Sequence, residues 1–109
     1  MSLPDVIDVK HSVIDAASSG DNTLKTAVSG KRILVTSLFL LAAGTVNVRF
    51  ESSAGGTALT GQMNLIANSG FALNYNEYGW FVTLKDELLN LELSAAISVD
   101  GSFSYREID

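Results

Sequence analysis

His11 is the only histidine of the 109-residue chain, and there is no cysteine. A Ser/His/Asp relay would therefore have to run through His11, since no other side chain has an ordinary pKa near neutrality. His11 stands between Lys10 and Ser12, in step with Ile7, Val9 and Val13, as a partly buried strand residue would. No catalytic residue is expected there. A zinc centre needs several His or Cys ligands, and a thiolate nucleophile or a disulfide needs Cys, so neither metal nor cofactor is expected. The carboxylates of Asp5, Asp8, Asp15, Asp21 and Asp86 fall in or near predicted turns. They lack the Asp-x-Asp-x-Asp-Gly spacing of a calcium loop and read as solvated surface acids. A carboxylate pair for glycoside hydrolysis would need a cleft for which a domain of this size has little room. Gly55-Gly56 and Gly61 are followed by no Gly-Lys-Ser/Thr and no helix, so they read as turn glycines rather than a phosphate cradle. With so thin an inventory of acid, base and nucleophile, a hydrolase is the weakest reading. The remaining cluster is aromatic: Tyr75, Tyr78 and Trp80, interrupted by Asn74, Asn76 and Gly79. Flat rings beside amides can stack on sugar rings. The preferred reading of the same residues is core, with Trp80 and Tyr75 inside and Tyr78 capping a turn.

The elements that would carry these residues are strands. From Thr45 to Glu51, Val46, Val48 and Phe50 alternate with Thr45, Asn47, Arg49 and Glu51, the signature of a half-buried strand. Phe71, Leu73 and Tyr75 alternate with Ala72, Asn74 and Asn76, and Trp80, Val82 and Leu84 with Phe81, Thr83 and Lys85. Ile97, Val99, Phe103 and Tyr105 share one parity; Asp100-Gly101 could either lie within that strand or fold it into two at a type I′ turn. Leu84, Leu88 and Leu91 would line a helix, while Leu89, Leu91 and Leu93 would line a strand, and the polar parity of Asn90, Glu92 and Ser94 favours the strand. Glycines recur about every ten residues, which suits a sandwich or barrel. The expected fold is all-β: a single antiparallel β-sandwich of about eight strands over residues 23–109, preceded by an arm or first strand over residues 1–22.

Lys31 to Ala43 departs from simple alternation. Ile33, Val35, Phe39 and Leu41 fill one parity and Leu34, Leu38 and Leu40 the other, so both faces need cover. A sandwich has one inner layer, so Leu34, Leu38 and Leu40 form a candidate oligomer interface unless the amino-terminal segment lies over them. From Ser52 to Asn76 the chain carries no charge, and charged groups are depleted from the cores of interfaces.

Composition narrows the classes further. The chain is 47% hydrophobic and 17% charged, with seven Lys and Arg against twelve Asp and Glu, a net charge of −5. Lys31-Arg32 is the only adjacent basic pair, so nucleic acid is not an expected partner. The longest pure apolar run, Leu38 to Ala43, is far below the roughly 20 residues of a membrane helix, and Leu3-Pro4-Asp5 does not read as a secretion signal. No membrane partner is expected.

The order of blocks is familiar: Gly30-Lys31-Arg32-Ile33-Leu34-Val35, then Ala42 to Phe50, Thr57-Ala58-Leu59-Thr60-Gly61, Ala67-Asn68-Ser69-Gly70, Gly79-Trp80-Phe81, and Leu89 to Ala96. Over residues 28 to 107 it resembles a group of small jelly-roll proteins and domains of tailed-bacteriophage virions. The blocks are mostly turn and core residues, specific for fold and weak for function. What the resemblance implies is a jelly-roll sandwich without catalytic residues, most often a homotrimer, acting as a capsid decoration or cement protein. Head-fibre, tail-fibre and spike modules, some of which bind carbohydrate, are the alternative. The implied partners are the chain itself and the major capsid protein or other virion subunits, and the implied location is the virion, assembled in the host cytoplasm. The chain has no repeat and no coiled-coil heptads, which favours decoration over a long fibre.

Overall fold

A computed structural model describes residues 8–109; Leu3, Pro4, Asp5 and Ile7 lie outside the described residues. The described chain is all-β, with β1 Lys10–Ala16, β2 Gly20–Lys25, β3 Arg32–Ala42, β4 Val46–Ser52, β5 Thr57–Ala58, β6 Met63–Leu65, β7 Gly70–Leu73, β8 Phe81–Val82, β9 Leu89–Leu93 and β10 Val99–Ile108. Two antiparallel sheets result. One has the order β1-β10-β3-β7, with β8 also on β3; the other has β2-β9-β4-β5, with β6 also on β4.

These ten pieces occupy eight lanes. β5 pairs with Glu51 and Ser52 while β6 pairs with Val46 to Val48, so the two are halves of one interrupted strand along β4. β7 and β8 divide β3 in the same way. Apart from the β4–β5–β6 succession, the chain crosses between sheets at each lane, giving the paired Greek keys of a jelly roll. The expected sandwich is what the chain forms. Its amino-terminal boundary is corrected: β1 and β2 are the outer strands of the two sheets, and β2 runs through position 22, so residues 10–25 belong to the sandwich.

The core lies between the sheets. Ile14, Ile33, Val35, Leu38, Leu40, Val99 and Phe103 face Val46, Val48, Phe50, Leu89, Leu91 and Leu93. Leu89, Leu91 and Leu93 are buried from strand β9, as the polar parity of their neighbours indicated. β10 passes straight through Asp100-Gly101, which rules out the two-strand alternative. Gly101 is there for a close approach: a Cβ on it would lie 1.9 Å from the carbonyl oxygen of Phe39.

One irregularity decides which way β3 faces. Ser104 pairs with Ser37 but Tyr105 pairs with Val35, so Thr36 is an extra residue opposite the Ser104–Tyr105 step. The bulge reverses the parity of everything after it. Ile33 and Val35 point inward before it; Leu38, Leu40 and Ala42 point inward after it. Thr36 is fully buried, and its hydroxyl shares a 2.7 Å hydrogen bond with that of Ser104, which also meets the Ser37 hydroxyl. These bonds satisfy the polar groups that the bulge displaces.

Candidate functional site

The bulge removes the expected interface of Leu34, Leu38 and Leu40. Leu38 and Leu40 are each 3% exposed and belong to the core. Leu34 does face outward, but the 76–80 turn covers it: Gly79, at φ +82°, packs so closely that a Cβ would lie 2.2 Å from Leu34 Cδ1. What β3 presents to solvent is Phe39 and Leu41, 57% and 53% exposed. In the cross-strand register Val13, Ser102, Phe39 and Ala72 form one rung across the outer face, and Asp15, Asp100, Leu41 and Gly70 form the next. Beside Phe39 the small residues Ala72, Ser102 and Ser104 leave a shallow hollow of about 240 Å³. His11 lines this hollow too and is exposed, not partly buried as its neighbours had suggested. Among the described residues no hydrogen bond joins it to a hydroxyl or a carboxylate, and the Ser37 and Ser104 hydroxyls bond each other.

The outer face of the other sheet is polar and closed on itself. Arg49 donates from Nε and Nη2 to Glu51 Oε2, at 3.0 and 2.6 Å, and from Nη2 to Glu92 Oε1 at 3.0 Å. Asn90 Nδ2 donates to Asp21 Oδ1 and to Glu51 Oε1, both at 2.9 Å. Glu51 is thereby almost fully buried yet has a partner on each carboxylate oxygen. The carboxylates of Asp21, Glu51 and Glu92 approach within 4.8 Å of one another. The Arg49 guanidinium supplies the positive charge they need, and hydrogen bonding to Glu51 holds its own pKa above the ordinary value. Asp21, expected to be a solvated acid, is thus a member of a structural network. Asp86 is another: its Oδ1 accepts from Gly30 N, tying the turn before β3 to the turn before β9. Among the remaining acids Asp15 and Asp8 are exposed, Asp8 meeting Lys10.

The aromatic cluster lies outside the core. Tyr75 is 53%, Tyr78 85% and Trp80 47% exposed, which corrects the core reading of Tyr75 and Trp80. The residue that enters the core from this region is Phe81, whose ring lies 5.0 Å from that of Phe50 across the sandwich. The turn carrying the cluster is pinned. Asn76 N donates to Thr36 O, Gly79 N to Asn76 O, Trp80 N to Val35 O, Arg106 Nη1 to Glu77 O, and Trp80 Nε1 to Asn74 O at 2.8 Å. Ile66 and Leu84 are also exposed, so large apolar groups at the solvent concentrate between residues 66 and 84 and on the Val13–Phe39–Leu41 face.

Strict alternation missed Phe39, Leu41 and Val13 as the outward set. The available signal was the polar pair Thr36-Ser37, which interrupts an otherwise apolar strand. The Arg49–Glu51–Asn90 network left no comparable trace, because its members are ordinary polar positions of two strands distant in sequence. Comparison with models of known protein families and with curated proteins finds no match to this chain.

Proposed function

We propose that this chain is a non-enzymatic structural subunit of a tailed-phage virion, assembling as a homotrimer that decorates and cements the head shell. The observation that supports this reading is the outer face of the β1-β10-β3-β7 sheet, where Val13, Phe39 and Leu41 stand in solvent with no segment of the described chain over them. The virion context comes from the resemblance over residues 28 to 107.

Magnitudes say how large the contact must be. Fully burying a Val, Leu or Phe side chain contributes about 1.5–3 kcal/mol. Side chains already half covered offer roughly half of that, so three of them offset about 3 kcal/mol. Association costs at least about 4 kcal/mol in lost freedom. The interface must therefore extend beyond this face, and exposed Ile66 and Leu84, neither of which lines the cleft between the sheets, are a further supply. Closed symmetry would bury both zones without leaving a surface for unlimited growth. A shell to which many copies bind only when intact is stabilised by mass action. Sedimentation velocity at micromolar protein tests the trimer, with a sedimenting mass three times that of the chain expected; a strict monomer overturns it. Co-sedimentation with shells of the major capsid protein tests the cement role, with a raised disruption temperature expected.

The second reading is carbohydrate recognition in a fibre or spike module, favoured by the rigid, exposed trio Tyr75, Tyr78 and Trp80 beside Asn74 and Asn76. Tyr78→Ala, at a position with almost no packing to lose, would abolish glycan capture on that reading and leave trimer formation intact.

A further inference from the structure

Between the two sheets, where both outer lanes are broken into short pieces, the sandwich is open. β5 and β6 have two and three residues and β7 and β8 have four and two, so this edge carries shorter runs of paired strand than β9 and β10, and its Met63, Phe71, Leu73 and Phe81 side chains are only partly buried. The result is a cleft of about 280 Å³. Met63, Phe71 and Leu73 line it, Phe50 and Phe81, in ring contact at 5.0 Å, close its inner end, and half-exposed Trp80 stands at the rim. We infer that this cleft binds a small, uncharged, ring-shaped apolar molecule of one or two fused rings.

Four features fix that chemistry. Four of the lining side chains are aromatic, and rings favour offset or edge-to-face neighbours. The lining carries no charge, and the chain supplying Met63, Phe71 and Leu73 has none from Ser52 to Asn76, so an ion would enter without a counter-charge. Polar side-chain groups are already committed: Thr60 Oγ1 donates to Gly61 O and accepts from Phe50 N, and Trp80 Nε1 donates to Asn74 O. A sugar would find no free side-chain donor for its hydroxyls there, which separates this cleft from the Tyr75–Tyr78 surface outside it. Size agrees, since an apolar cavity of about 150 Å³ takes up benzene and this one is larger. The Trp80 ring is held by its hydrogen bond and by the pinned 76–80 turn, so the rim is formed before the ligand arrives.

Benzene titrated into the purified protein, followed by NMR at the Met63 methyl and the Trp80 indole N–H, tests the site. Both signals are expected to shift and saturate, with a dissociation constant on the order of a millimolar or tighter. Met63→Phe and Leu73→Phe, which fill the cleft, are expected to weaken binding at least tenfold; if Leu73→Phe does not fold, the half-buried Met63 position decides. Glucose at the same concentrations is expected to leave both signals unmoved. Shifts that never saturate, equal affinity in Met63→Phe, a matching response to glucose, or shifts centred on Val13 and Phe39 would each overturn the site. Repeating the titration above the self-association range separates this inference from the assembly reading. Loss of binding there would assign the cleft to a second copy of the chain and overturn the small-molecule site.

Discussion

The two outer faces of this sandwich are built by the same alternation and have opposite chemistry. On the β2-β9-β4 sheet, Arg49, Glu51, Asn90, Glu92 and Asp21 satisfy one another across three strands. On the β1-β10-β3 sheet, the corresponding positions hold Val13, Ser102, Phe39 and Leu41, with the exposed acids Asp15 and Asp100 in the rung of Leu41. A face whose charges and amides already have partners gains nothing from leaving water. A face of half-exposed Phe and Leu does gain, at roughly 25 cal/mol for each Å² it covers. The difference shows why exposure alone is a poor guide to partners and why the state of the hydrogen bonds must be read with it.

Four substitutions would break or sharpen this contrast. The largest effect is expected within β3 itself. Leu40→Ala should lower unfolding stability by about 3 kcal/mol, since it opens a cavity in the core, while Leu41→Ala, one residue on, should change it by less than about 0.5 kcal/mol. Chemical denaturation of the two variants measures this, and equal losses would return Leu38 and Leu40 to the outer face. Next, Arg49→Ala should lower the denaturation midpoint by less than Leu40→Ala does but by more than Leu41→Ala, because it leaves the buried Glu51 carboxylate without its guanidinium, while the oligomeric state is unchanged. A negligible cost would make the polar face a mere surface ion pair. The smallest effect on folding and the clearest on assembly is expected of Phe39→Asp. It should weaken self-association at least tenfold, about 1.4 kcal/mol, in sedimentation equilibrium, with the far-ultraviolet circular dichroism unaltered.

Much of the fold was legible because strand signals are local. Val46, Val48 and Phe50 alternate within seven residues, Leu89 to Leu93 do so within five, and both segments form the strands their period requires. The long apolar run of β3 was legible as a strand but not as an orientation. Its parity turns on Thr36 and Ser104, which lie 68 residues apart and meet only in the folded sheet. The aromatic cluster was legible as residues and not as exposure, since Phe81 rather than Trp80 takes the place against Phe50.

By itself, then, the sequence determined the class, an all-β sandwich, since composition and period-two alternation are properties of the chain alone. Only the tertiary structure decided which apolar residues reach solvent. A bulge is set by pairing between strands, and one extra residue exchanges core and surface for every side chain beyond it.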